Sequence, residues 1–402
     1  MRPWIYFATD RAAGADNLFR LRFIKTQYVD VIATGILSLT TLNVQFADGR
    51  SHAVVFDQLE QLPTQMAARG LGPGPCVIVT DDNVAGLYLE RLGTTLDQAG
   101  YSTSTFSVRP GESSKSLRVL EELYDTALGA RVDRATPVIA LGGGVVGDLA
   151  GLGAATLLRG VPLVHVPTTL VAQIDSSIGG KTGVNHAAGK NLIGSFYQPR
   201  LVLTDIDVLQ SLDDREWRSG LAEMVKHAML DSHEHTTTVL SYWEQIVARK
   251  ADTLRIVVPR SAAFKASIVA DDEMEHSRRA VLNLGHTVGH AIERAAGYGE
   301  LSHGESVAAG LAVALRISDM KYPRQDRGLA WDLLHRLGWP STRHLDVRDI
   351  MDGLATDKKV LSGIQRFILL PAPGSPEIST TVSIQDIEAA YDWLIRPKST
   401  GD

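Results

Sequence analysis

Two kinds of hydrophobic pattern divide the chain. In the first half, short continuous apolar runs, Cys76–Thr80, Pro137–Leu141 and Leu163–Val166, are each closed by a turn or by Pro167. Runs of this length without polar alternation suit strands buried on both faces of a parallel sheet. Helical stretches lie between them, which predicts βαβ units in a doubly wound sheet. An antiparallel pair is predicted ahead of these, Thr41–Phe46 and His52–Phe56 around the turn Asp48-Gly49. After about Ser211 the strand signals thin out. Leu212-Asp213-Asp214-Arg215-Glu216 has helix-capping and acidic first-turn chemistry. Helical periodicity then runs through Leu240, from Phe264 to Asp272, from Asn283 to Ala296 and from Glu305 to Met320. The expected organisation is an extension of unknown role over 1–38, a Rossmann-like α/β domain over 39–212 and a helical domain over 213–402. No repeat or low-complexity linker separates the last two, so a tight interface with a cleft is expected.

Composition narrows the chemistry. The 402 residues are 44% hydrophobic and 21% charged, ordinary for a globular protein with a real core. A formal net charge of -6 argues against non-specific nucleic-acid binding, which needs a basic surface. With a single cysteine, Cys76, neither an internal disulfide nor a cysteine-based zinc site can form, in keeping with a reducing cytosol. Any metal must sit on His, Asp and Glu. Met1 to Ile24 mixes apolar residues with charges and lacks the apolar core of a secretory signal, and no run reaches the ~20 apolar residues of a membrane helix.

Three polar segments carry candidate chemistry. Gly142-Gly143-Gly144-Val145-Val146-Gly147-Asp148 follows a strand and opens a helix, where bare backbone and helix-terminal N–H groups can approach a diphosphate. Glycine turns are also ordinary strand-to-helix connections. Asp81 and Asn83, at the end of an earlier strand, could take ribose hydroxyls, and Glu112 with Lys115 could hold the far end of a nucleotide. Asp175 to Lys181, continuing to Asn185 and Gly189-Lys190-Asn191, combines lysines with exposed backbone N–H groups as an oxyanion-binding loop would; it lacks the spacing of a P-loop. Third, Arg279 to His290 reads as one helix with Asn283, His286 and His290 on one face, followed by His303. Glu223, Lys226 and His227 lie on an earlier helix. Two histidines and a carboxylate make an open site for a catalytic divalent ion. The spacing leaves the pair His286 and His290 and the pair Glu223 and His227 both open.

On these segments, with His303-Gly304-Glu305 and Asp357-Lys358-Lys359, the chain resembles the 3-dehydroquinate synthases, within the sugar-phosphate cyclase family, over roughly residues 40 to 395. The resemblance implies a Rossmann-like NAD-binding domain, an all-α metal- and substrate-binding domain, a tightly held NAD, one zinc or cobalt ion, a homodimer, and a lyase acting on a phosphorylated sugar acid. It implies Glu223, His286 and His303 as metal ligands. It places Asp175, Lys181, Asn191, Lys226, Lys265, Arg279, Asn283 and His290 at the substrate, with one of Lys358 and Lys359, and makes Lys181, Lys226, Lys265, Arg279, Asn283 and His290 the catalytic set. Arg159 resembles an arginine that reaches a neighbouring subunit's phosphate pocket. For NAD it implies Asp81, Asn83, Glu112, Lys115, Gly143, Gly144, Val145, Asp148, Thr168, Thr169, Lys190, Ser211, Leu212 and Glu216. Val208 stands where the family often has an aromatic residue beside the adenine. The rivals are another cyclase of this family, such as an amino-dehydroquinate synthase, a metal-dependent polyol dehydrogenase, which needs no lysine-rich phosphate pocket, and a non-catalytic sugar-phosphate sensor.

Overall fold

The computed structural model describes residues 18–23, 27–33, 39–297, 299–355, 360–361 and 364–396. Lys358 and Lys359 lie outside the described residues. The chain forms two compact units. The first runs to Leu212 and takes in Leu254–Met274; the second comprises Asp213–Thr253 and resumes at Glu275.

The first unit is built on a nine-stranded sheet with β1 (Leu18–Phe23), β2 (Gln27–Ala33), β3 (Leu39–Gln45), β4 (Ser51–Phe56), β5 (Pro75–Asp81), β6 (Ser102–Val108), β7 (Val138–Gly142), β8 (Leu163–Pro167) and β11 (Leu201–Thr204). Its order is β1-β2-β3-β4-β11-β8-β7-β5-β6. The pairs from β1 to β4 are antiparallel, and those from β4 to β6 are parallel. The apolar runs have the expected cause. Val77, Val79, Val138 and Ala140 enter one core cluster while Ile78, Ile139 and Leu141 enter another, so successive residues are buried on opposite faces. Part of the expected extension joins this sheet, since β1 and β2 continue it outward from β3.

The expected helical domain over 213–402 gives up one segment. The helix Ala251–Asp271 contributes Ala262, Ala263, Ala266, Val269 and Ala270 to a cluster with Leu42, Val44, Val54, Ile178 and Val202, and so packs with the sheet. A helix-period pattern shows that a face is apolar but not which partner covers it.

Chain order places the first unit's crevice. From β5 the chain moves outward to β6 and returns to β7 on the other side of β5, so the connections leaving β5 and β7 diverge at the carboxyl ends of the strands. Asp81 ends β5, and Gly142 ends β7.

In the second unit the helices Asp214–Asp231, His286–Ala296 and His303–Lys321 carry the polar residues of interest. They approach closely where glycine allows it. A Cβ on Gly310 would lie 1.9 Å from the Gly285 carbonyl oxygen, and one on Gly304 would lie 2.3 Å from Ser219 Cα. Ser302 caps the last helix in a reciprocal box with Glu305. The unit is not purely helical: Val360–Leu361 pairs with Ile364–Gln365, and Phe367–Leu369 with Glu377–Ser379. The expected single helix from Arg279 to His290 is also broken. Arg278–Asn283 is a 3-10 turn, Gly285 sits at φ +77°, and the α-helix starts at His286. Glycine is at home in that left-handed conformation, and it interrupts the ladder between Asn283 and His286.

Candidate active site

In the first unit the glycine turn forms a cradle. Gly143 is the N-cap of the helix Gly144–Thr156, and Val145 lies in its first turn. A Cβ on Gly143 would come 2.9 Å from Thr169 Cγ2, so any larger residue would have to displace that side chain. The neighbouring Thr168 is buried, and its hydroxyl has no partner among the described residues. Bare helix-terminal backbone with an unsatisfied hydroxyl beside it suits a diphosphate. At the end of β5, Asp81 Oδ1 accepts the N–H groups of Asn83 and Val84, both at 3.0 Å. Val208 lies in the 3-10 helix Ile206–Ser211, whose end is fixed by Tyr88: the phenol donates to the Val208 carbonyl at 3.1 Å and meets Ser211 Oγ at 2.5 Å. Leu212 follows directly. Glu216, also expected on the nucleotide, lies in the first turn of Asp214–Asp231, in the second unit.

The segment read as an oxyanion loop is mostly a hairpin, β9 (Lys181–His186) with β10 (Gly189–Phe196). Its glycines and lysines hid the pairing: Val184 and Ile193 face the core, but the glycines and polar residues around them leave too few apolar positions to show strand alternation. Lys115 is buried and donates to Asp148 Oδ2 and to Asn191 Oδ1, both at 2.6 Å. Burial pushes the Asp148 carboxyl up, and the Lys115 charge offsets part of this. Lys265, also buried, is paired with Asp175. Lys181 is exposed at the start of β9. Arg159 is exposed on a strained turn: Leu158 at φ +50° and Arg159 at φ +65° precede Gly160 at φ +116°. Two successive non-glycine residues in the left-handed region need support. Leu158 finds it by packing on the core, and Tyr197 donates to the Val161 carbonyl at 2.7 Å.

In the second unit Glu223, His286 and His303 converge, with one ligand-type atom from each lying within 4.8 Å of the others. His286 Nδ1 faces the Leu284 carbonyl at 3.2 Å, which leaves Nε2 directed at Glu223 Oε1, 3.5 Å away. His303 Nε2 lies 3.2 Å from the same oxygen. Electron-pair donors from three side chains thus face one point, the arrangement a divalent cation fits. Burial raises the Glu223 carboxyl, but Lys226 and His286 outweigh it and hold the group well below the usual carboxylate range. Burial and Lys226 push His286 down to about 4. Burial also lowers His303, yet Glu223 and Glu293 overcome it and raise this imidazole to about 9. His290 completes the cluster, its ring 5.3 Å from that of His286 and 6.0 Å from that of His303. Lys226 pairs with Glu223 and is buried, as is Arg279. Asn283 donates to Glu275 Oε1 at 3.1 Å.

The sequence reading missed three positions here. Tyr88 sits in an unremarkable helical stretch. Glu293, 3.8 Å from His303 Nδ1, stands seven residues after His286 and gave a faint helical-face signal. Asn185 lay in the quoted motif but had no role.

Comparison with known proteins identifies the family. The N-terminal domain family of 3-dehydroquinate synthase matches residues 105–219, and the C-terminal domain family matches 220–360. The chain is 43% identical over 349 residues to the 3-dehydroquinate synthase of Salinibacter ruber, covering 86% of this chain and 95% of that protein. With the Symbiobacterium thermophilum enzyme of the same name it is 46% identical over 325 residues, 80% of this chain and 90% of that one. A 2-epi-5-epi-valiolone synthase from Streptomyces hygroscopicus, solved with NAD+ and Zn2+, superposes with a TM-score of 0.76 at 29% identity over 86% of this chain and 97% of that one. A 2-deoxy-scyllo-inosose synthase, solved with carbaglucose-6-phosphate, NAD+ and Co2+, gives 0.78 at 26% identity over 88% and 99%.

Proposed function

The chain belongs to the 3-dehydroquinate synthase family, and on that premise we propose that it converts 3-deoxy-D-arabino-heptulosonate 7-phosphate to 3-dehydroquinate and inorganic phosphate, as a lyase of aromatic amino acid biosynthesis using NAD and one zinc or cobalt ion. The observation that carries the reading is the convergence of Glu223, His286 and His303 in a chain that also holds a diphosphate cradle at Gly143. Relatives at 43% and 46% identity bear this name, whereas the valiolone and inosose synthases stand at 29% and 26%, so the rival cyclases are not favoured.

When bound, NAD would supply reversible hydride transfer, and the cation would supply polarisation of neighbouring substrate hydroxyls. Glu223, His286 and His303 are the ligands to that ion. For NAD the proposed contacts are Asp81, Asn83, Glu112, Lys115, the turn from Gly143 to Val145, Asp148, Thr168, Thr169, Lys190, Ser211, Leu212 and Glu216. Lys181, Asn191 and His290 bind the substrate phosphate, with Arg159 supplied by a second copy in a homodimer. Lys265 and Arg279 bind the carboxylate, the guanidinium through two oxygens at once. Asp175, paired with Lys265, orients that ammonium. Lys226 and Asn283 hold substrate hydroxyls. Catalysis is then mainly positioning and electrostatics. No helix among the described residues is long and apolar enough to cross a membrane.

The test is to supply the heptulosonate phosphate, NAD and zinc or cobalt and follow phosphate release. Continuous release without net accumulation of NADH is expected; none from folded, metal-loaded protein would overturn the reading.

A further inference from the structure

The hairpin of β9 and β10 is irregular at one place. Gly189 pairs with His186 and Ile193 pairs with Val184, so Lys190, Asn191 and Leu192 stand opposite the single residue Asn185. Such a bulge leaves backbone groups without ladder partners and re-aims successive side chains. Asn191 takes up the distortion at φ +53°. Asparagine tolerates that conformation better than most residues, but something must hold it there.

Asn185 supplies the hold. Its Oδ1 accepts the Asn191 N–H at 2.8 Å, in place of the missing ladder bond. Its Nδ2 donates to Glu112 Oε1 at 2.9 Å, and its backbone N–H donates to the Lys115 carbonyl at 2.8 Å. Lys115 returns to the bulge through its ammonium, which donates to Asn191 Oδ1 at 2.6 Å while also holding Asp148. Only one orientation of the Asn185 amide satisfies these partners, since a flip would set oxygen against carboxylate and NH2 against N–H. The Lys115 backbone N–H donates to the Glu112 carbonyl at 3.1 Å, which closes the ring Glu112–Asn185–Asn191–Lys115.

The proposed function gives Glu112, Lys115 and Lys190 to the cofactor and Asn191 to the substrate phosphate. Resting on that reading, we infer that Asn185 is a positioning residue that shapes the bulge and couples the cofactor contacts to the substrate contact. Lys190 and Asn191 are adjacent in sequence, and the bulge lets one serve each ligand. Asn185 is assigned to neither ligand; it sets the backbone that presents both and ties that backbone to the Glu112–Lys115 loop.

Two substitutions separate the arms of the amide. In Asn185→Asp the acceptor for Asn191 survives while the donor to Glu112 becomes a carboxylate facing a carboxylate. In Asn185→Ala both arms are lost. With zinc-loaded protein, NAD Kd is measured by fluorescence titration and substrate KM by phosphate release at saturating NAD. Asn185→Asp raises NAD Kd about tenfold and leaves KM within about twofold, whereas Asn185→Ala raises both about tenfold. Zinc content and melting temperature report folding for each variant. Equal changes in Kd and KM in both variants, or an unchanged NAD Kd in Asn185→Ala, would overturn the inference. Wild-type protein that binds no NAD would instead overturn the functional reading on which it rests.

Discussion

The two units hold their functional groups by opposite means. In the first, key groups sit at irregular backbone: a glycine cradle, a hairpin bulge, left-handed residues at Arg159 and Asn191. Polar side chains such as Lys115, Asp148 and Asn185 brace them. In the second, the convergent donors stand on regular helices, and close glycine contacts between helices set their separation. The difference follows from the ligands each half suits. Phosphate groups are gripped well by backbone N–H, which must be exposed by bending the chain. A divalent ion needs lone pairs from separate side chains at fixed spacing, and rigid helices supply that spacing.

The sharpest break in this comparison is Glu223→Ala. It should abolish turnover by on the order of a thousandfold or more, since the ion contributes several kcal/mol to the reaction. Bound zinc, measured by elemental analysis, falls to background while NAD titration is undisturbed. A folded variant that keeps its zinc and its turnover would show that the cation sits elsewhere.

Gly310→Ala tests the helical half by packing alone. The added Cβ meets the Gly285 carbonyl oxygen, a backbone atom that cannot swing aside. A loss of about 3 kcal/mol in urea unfolding is expected, with weaker zinc binding because Gly285 directly precedes His286. NAD affinity should hardly change. Unaltered stability and zinc affinity would show that the two helices do not set the donor spacing.

The smallest effect concerns the sheet of the first unit. His52 is buried, its ring nitrogens have no hydrogen-bond partner among the described residues, and its ring lies 5.8 Å from that of Phe46. Burial, with a smaller contribution from His165, pushes its imidazole down to about 3; burial pushes His165 down to about 4. An unfolded histidine titrates near ~6.5, so below that pH the unfolded chain binds more protons than the folded one. The stability these neutral rings allow is present above ~6.5 and is lost as pH falls toward the folded values, by ~1.4 kcal/mol per pH unit for each ring. His52→Phe should reduce the slope of unfolding free energy against pH, between ~6 and ~4, by about one proton. An unchanged slope would mean that His52 is already charged, or hydrated, in the folded protein.

Much of the candidate site could be read before the fold, because irregular backbone and clustered histidines leave compositional marks. The run from Gly142 to Gly144, the lysines at 181 and 190 and the histidines at 286, 290 and 303 are visible as residue types. What escaped was any role that depends on a partner far along the chain. Asn185 looked like one more polar residue, and Tyr88 like a helical aromatic, until Glu112, Asn191 and Ser211 were placed beside them. The helix expected from Arg279 to His290 failed at Gly285, where close approach to Gly310 favoured a left-handed turn over a continuous ladder.

The sequence by itself determined the apolar strands and helices, the absence of any cysteine-based metal site, the glycine cradle and the family resemblance. All of these are local in the chain or carried by residue type. Only the tertiary structure decided that Ala251–Asp271 packs with the sheet, that β1 and β2 lengthen it, that residues 181–196 form a bulged hairpin, and that Glu223, His286 and His303, far apart in the chain, come within reach of one another. Each of these depends on which surfaces meet. A periodic pattern declares a face apolar or a side chain able to donate, but the partner is chosen by the packing of the whole unit.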